Sequence, residues 1–109
     1  MVFLATRKMD EIVEFYTVRL GMEVWLKQED CTILRHGNLM LGFCSRATAD
    51  ACGIITFYFD SKEEVDRRYD ALKDVADGPP KENPKYKIYH FFLKDPERRR
   101  LEVQKFHDI

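Results

Sequence analysis

Asp95-Pro96-Glu97-Arg98-Arg99-Arg100-Leu101-Glu102-Val103-Gln104 decides how the chain is read. Asp-Pro opens a tight turn, because the aspartate bonds its own backbone and proline pre-sets φ at the second turn position. Beyond the turn the residues alternate. Leu101 and Val103, with Lys105 in line, fall on one face of a strand, and Arg100, Glu102 and Gln104 on the other. A carboxylate and an amide on one strand face, next to aromatics, could line a ligand pocket. A solvated outer face is the plainer reading, and only the rest of the chain can choose between them.

Upstream of the turn, Tyr86 to Lys94 is a strong strand candidate that pairs with Leu101 to Phe106 as a hairpin. Before it, Lys81 to Lys85 is polar and contains Pro84, so it can be at most a ragged edge strand. Gly78-Pro79-Pro80 stops a helix by Asp77. That helix opens at the capping-box pattern Ser61-Lys62-Glu63-Glu64 and buries Val65, Tyr69, Leu72 and Ala76. Gly53 to Phe59, apolar, β-branched and aromatic, reads as a well-buried strand.

The first half has the same order. Val2 to Arg7 is a short strand. Met9, Ile12, Val13, Tyr16 and Leu20 recur at helical spacing, with Asp10, Glu11 and Glu14 at the dipole's positive end. Gly21 can take the left-handed position that ends the helix. Glu23 to Gln28, Cys31 to Arg35 and Leu39 to Cys44 are strands, the last two joined by the hairpin chemistry of His36-Gly37-Asn38.

Strand-helix-strand-strand-strand thus occurs twice. Adding 53 carries Val2 to Ile55, Leu4 to Phe57, Ile12 to Val65 and Tyr16 to Tyr69, and adding 60 carries Leu41, Gly42 and Phe43 to Leu101, Glu102 and Val103. The predicted fold is α+β: two βαβββ repeats forming a curved mixed sheet with a concave pocket and the helices outside. The domain layout is one domain over 1–109, with repeat one at 1–45, a small polar linker at 46–52 and repeat two at 53–109. A ferredoxin-like sandwich suits the same string less well, since it needs fewer strands after each helix.

Composition narrows the function classes. The 109 residues carry 18 Lys+Arg against 19 Asp+Glu, a net charge of −1 that predicts no nucleic-acid or anionic-membrane partner. No apolar run approaches bilayer length, and Met1 to Lys8 lacks the apolar region of a signal peptide, so a cytoplasmic location is expected. Cys31, Cys44 and Cys52 form no CxxC pair and are read as reduced, small, mostly buried residues, with no disulfide or structural zinc.

Two stretches resemble the vicinal oxygen chelate superfamily, which contains glyoxalase, bleomycin-resistance proteins and extradiol dioxygenases. Glu14-Phe15-Tyr16 followed by Leu20-Gly21-Met22-Glu23-Val24 is similar to its "FY…LG-x-E-V" signature. Phe92 through Lys94-Asp95-Pro96-Glu97 to Leu101-Glu102 is similar to its closing "F-x-x-DP-x-G-x-x-LE" signature. Members with chemistry hold one divalent metal through His, Gln or Glu at four equivalent strand positions, where it stabilises an enolate or oxyanion. Carried onto this chain, those positions fall at Met1, near Ile54, at Gly42 (Met40 with a slip of two) and at Glu102. Only Glu102 has ligand chemistry, and one carboxylate holds no catalytic metal. Arg98 stands where the family's turn has glycine, which suggests a turn of different type or length.

The resemblance therefore implies a small-molecule-binding protein without the metal site. Its expected ligand-binding residues are Phe3, Tyr58, His90, Phe92, Glu102 and Gln104, with no metal ligand and no catalytic residue assigned. Trp25 is a weaker aromatic candidate. No cofactor is expected, and Glu102 is read as a lone carboxylate for the ligand. The alternative is a metal-dependent lyase, isomerase or dioxygenase in which His90 joins Glu102 as ligand. His36 and His107 are read as solvent-facing, and Arg98-Arg99-Arg100 as a solvated turn. Superfamily members commonly pair, so a homodimer is expected.

Overall fold

Each half of the chain builds one four-stranded sheet with one helix against it. The computed structural model describes residues 1–107, and the chain divides into two units, Met1–Ala51 and Cys52–Ile109. The element order is β1 (Val2–Thr6), α1 (Met9–Glu14), a π-helical turn (Phe15–Arg19), β2 (Glu23–Lys27), β3 (Cys31–His36), β4 (Leu39–Ser45), β5 (Ile54–Tyr58), α2 (Lys62–Leu72), β6 (Lys81–Asn83), β7 (Ile88–Lys94) and β8 (Arg100–Phe106). The doubled βαβββ order expected from the sequence is present. The expected single curved sheet takes the form of two sheets, ordered β1-β4-β3-β2 and β5-β8-β7-β6.

In the first unit β1 runs parallel to β4, and the other neighbours are antiparallel. The helical stripe works as its spacing implies: Ile12, Tyr16 and Leu20 are buried, and the Tyr16 ring packs 4.9 Å from that of Phe43. The α-helix converts to π geometry at Phe15, and Thr17 Oγ1 donates to the Val13 carbonyl at 2.7 Å within that stretch. Gly21 at φ 73° ends it, with the Met22 amide donating to the Tyr16 carbonyl. β2 is bulged between Val24 and Leu26, leaving Val24, Trp25 and Leu26 all exposed on an edge strand.

Cys31 and Cys44 correct the sequence reading. They face one another across β3 and β4 with Cα atoms 4.0 Å apart and are joined as a disulfide, leaving Cys52 as the free, exposed thiol. Their separation in sequence hides the contact, which the hairpin register creates. The cysteines therefore no longer speak for a reducing compartment.

In the second unit the Ser61 hydroxyl accepts from the Glu64 amide at 3.2 Å, as the capping pattern requires. α2 ends at Leu72, before the Gly78-Pro79-Pro80 stop, so Ala76, expected in its buried stripe, lies beyond the helix. Ala76 then bridges Leu93, and the Asp77 amide donates to the Phe92 carbonyl, so the segment is drawn onto the sheet. α2 packs through Val65, Leu72 and Tyr69, whose ring meets Phe91 edge-on at 5.4 Å. β5 is less buried than its composition suggests, with Ile54 and Tyr58 exposed, because it is an edge strand bonded to β8 alone. Lys87 at φ 55° delays the start of β7 to Ile88. No helix among the described residues is long and apolar enough to cross a membrane.

The Asp95 turn is tied by its own side chains. Asp95 Oδ1 accepts from the Glu97 and Arg99 amides at 2.8 and 3.0 Å, and Arg99 Nη1 donates to Asp95 Oδ2 and Glu97 Oε1 at 3.0 and 2.9 Å. Arg99 is therefore buried, against the expectation of a solvated basic run. Burial opposes its charge, but the Asp95 and Glu97 carboxylates outweigh that and hold the guanidinium above its ordinary pKa. Arg98 sits at φ 69°, so the turn keeps the left-handed residue that glycine would suit, and the expectation of a different turn is corrected.

Candidate functional site

Strand alternation puts Thr56 and Tyr58 (β5), Glu102 and Gln104 (β8), and His90 and Phe92 (β7) on one face of the second sheet, opposite the face that carries Phe57, Phe91, Leu93, Leu101 and Val103. In the ladder Glu102 lies between Thr56 and Phe92, and Gln104 between Tyr58 and His90. His90 reaches Glu102 on the diagonal, with Nδ1 2.6 Å from Oε2. Thr56 Oγ1 donates to Oε1 at 2.9 Å. Glu102 is thus no lone carboxylate: each of its oxygens already has a protein partner. This is also why a charged residue can be 8% exposed on a sheet face.

A cleft of about 380 Å³ opens on this face. Its walls are Tyr86, Ile88, Phe92 and Phe106, and its polar lining is Asn83, His90, Glu102 and Gln104. Few polar groups among aromatic walls is the usual build of a small-molecule site. His90 and Phe92 meet edge-on with ring centres 5.1 Å apart, and the Arg100 guanidinium caps the Phe92 ring at 5.0 Å.

Of the residues expected to bind ligand, His90, Phe92, Glu102 and Gln104 line this one cleft. Tyr58 stands outside the lining, 67% exposed, and touches it through an edge-on contact with Phe106. Phe3 belongs to the first unit, where its ring lies over Gly42 so closely that a Cβ there would collide with it. Sequence reasoning missed Thr56, Asn83, Tyr86, Ile88 and Phe106. Thr56 was within reach, since it shares strand parity with Tyr58. Asn83 and Tyr86 flank a Pro-containing stretch that offers no periodicity. His107 is exposed, as its reading as solvent-facing expected, with its backbone N–H donating to the Lys87 carbonyl and its Nε2 2.6 Å from Glu82 Oε2.

The repeat makes the asymmetry between the halves explicit. Phe3 pairs with Gly42 as Thr56 pairs with Glu102, and Cys31 pairs with Cys44 as His90 pairs with Gln104. In the first unit these positions are filled by a phenyl ring over glycine and a covalent bond. In the second they carry a hydroxyl, a carboxylate, an imidazole and a carboxamide.

For the divalent metal that the fold implies, the cleft offers one histidine, one carboxylate and one carboxamide, His90, Glu102 and Gln104. His90 Nδ1 and Glu102 Oε2 are bonded to each other, and among the described residues no three His, Cys, Asp or Glu side chains gather as a metal group would require.

No family model matches the sequence, and no curated protein matches it either. Solved structures do. A lactoylglutathione lyase from Agrobacterium tumefaciens superposes with a TM-score of 0.79 at 23% identity, over 96% of this chain and 91% of that one. A glyoxalase/bleomycin resistance protein/dioxygenase family enzyme from Burkholderia phytofirmans PsJN gives 0.80 at 21% identity, over 94% of each. An integron cassette protein from the mobile metagenome of the Halifax Harbour sewage outfall gives 0.82 at 19%, over 95% and 94%. The chain has the fold of the glyoxalase/bleomycin resistance/dioxygenase proteins, the vicinal oxygen chelate fold expected from its two signatures.

Proposed function

We propose that this chain is a small-molecule-binding protein that works without the fold's metal, and that its site is the cleft between β6, β7 and β8. The observation that carries the reading is the pair His90 and Gln104, 9% and 7% exposed, whose side chains line an aromatic-walled cleft. Among the described residues the Gln104 carboxamide and His90 Nε2 make no hydrogen bond to protein, and both residues line the open cleft, where a ligand can meet them. The test is a fragment screen by protein-observed NMR. Binders should move the resonances of His90, Phe92 and Gln104 together, and a screen whose binders all map elsewhere defeats the proposal.

One observation favours a second reading, a metal-dependent lyase, isomerase or dioxygenase: His90 and Glu102 do converge. That reading requires stoichiometric nickel, zinc, iron or manganese in protein purified without chelator, lost in Glu102→Ala together with turnover. A homodimer is also proposed, supported by the exposed apolar row Val24-Trp25-Leu26 on edge strand β2. Light scattering giving only a monomer would count against it.

A further inference from the structure

The ligand class that suits the cleft can be narrowed by hydrogen-bonding chemistry, an inference that rests on the binding-site reading. Glu102 is the one charged residue in the described lining. An ionised carboxylate only accepts, so the short contact to His90 places a hydrogen on Nδ1. The other ring nitrogen of a neutral imidazole then carries a lone pair and accepts. Thr56 fixes the carboxylate from its far side, so the orientation of the His90 ring, and with it the place of Nε2, is set by packing and by two hydrogen bonds.

Directly across the ladder from His90, the Gln104 carboxamide offers a donor and an acceptor in one plane. The site therefore presents a fixed acceptor beside an amide. The Tyr86, Phe92 and Phe106 rings that wall it favour a flat partner. An anionic ligand would meet the Glu102 carboxylate inside the cleft, while the cations nearest it, Arg100 over Phe92 and Lys85 over Tyr86, stack on the wall rings from outside the lining.

We propose that the cleft receives an uncharged planar ring with an N–H or O–H donor beside an oxygen acceptor, a lactam or hydroxy-heterocycle. The donor sits on His90 Nε2 and the oxygen on the Gln104 carboxamide. Glu102 and Thr56 are positioning residues.

Three bicyclic probes of one size test this on the full chain by calorimetry and NMR: 2-quinolinone, its N-methyl derivative and quinoline-2-carboxylate. 2-Quinolinone should bind in the cleft, with the N-methyl derivative roughly tenfold weaker, the value of one lost buried hydrogen bond. His90→Phe should abolish that difference while retaining the aromatic wall, and His90→Gln, which keeps an acceptor, should restore part of it. Should a histidine variant fail to fold, the wild-type ranking of the three probes still decides. Equal binding of both quinolinones in the cleft overturns donor recognition and leaves the binding-site reading standing. Tighter binding of the carboxylate overturns it too, since His90 would then be acting as a donor. If no probe moves a cleft resonance the proposal fails, and the fragment screen judges the broader reading separately.

Discussion

His90 and Glu102 lie diagonally across the β7–β8 ladder, yet Nδ1 and Oε2 are 2.6 Å apart, within direct hydrogen-bonding distance. The contact pulls a carboxylate, an imidazole and the Thr56 hydroxyl into one buried chain, and each loss is costly for the groups it leaves unmet. Glu102→Leu strands the His90 N–H and the Thr56 hydroxyl and should cost roughly 1–3 kcal/mol. The double variant Glu102→Leu with His90→Phe removes both partners and should regain much of that loss. Urea unfolding of the four proteins measures the coupling, and strictly additive losses would mean the pair is not a unit.

Phe3 and Gly42 make the opposite arrangement in the first sheet. Adding a methyl in Gly42→Ala forces the Phe3 ring aside and should cost about 1 kcal/mol. In a Phe3→Ala background the same change should be neutral or stabilising, because alanine is less entropically costly than glycine in a strand. A cycle of thermal or urea unfolding reads the change of sign.

Arg98 holds φ 69° in the hairpin turn. Arg98→Gly removes the clash of Cβ with the backbone there and should stabilise the protein by about 1 kcal/mol, with no change in the cleft. If stability falls instead, the arginine side chain contributes more than its strained backbone loses.

The Cys31–Cys44 bond closes a separation of 13 residues. Thiol titration of unfolded, unreduced protein should find one reactive cysteine, Cys52, and three after reduction. Reduction should lower stability by roughly 3 kcal/mol if the loop-entropy model holds. Three thiols before reduction would mean that the bond does not form.

Tyr89 donates to Asp66 Oδ1 at 2.6 Å. That hydrogen bond, then burial and the negative charges of Asp66 and Glu82, push its pKa up to about 12 from 10.0. A folded pKa above the unfolded one means the stabilisation is complete below about pH 10 and is lost as pH rises toward 12. Spectroscopic titration should show one tyrosine ionising earlier in Asp66→Asn than in the wild type. Should the two titration curves coincide, the Asp66 contact is not formed in solution.

Much of this molecule is written in local pattern. The helical stripe Ile12-Tyr16-Leu20, the Ser61…Glu64 cap, the His36-Gly37-Asn38 and Asp95-Pro96 turns and the doubled strand order each depend on residues within a few positions of one another, where backbone sterics and alternation act. They are enough to fix the βαβββ repeat and to put His90, Phe92, Glu102 and Gln104 on one strand face. The partners of those residues are another matter. Whether Glu102 is alone or held by Thr56 and His90, whether Cys31 meets Cys44, whether Arg99 is solvated or buried under Asp95, and whether Phe3 lies over Gly42 depend on which strands neighbour each other and in what register. A shift of one residue would turn every one of those side chains to the other face. The sequence by itself determined the fold and the sheet face that carries the candidate site. Only the tertiary structure decided its chemistry, because a hydrogen bond 46 residues apart in sequence exists only once the sheet has brought Thr56 and Glu102 together.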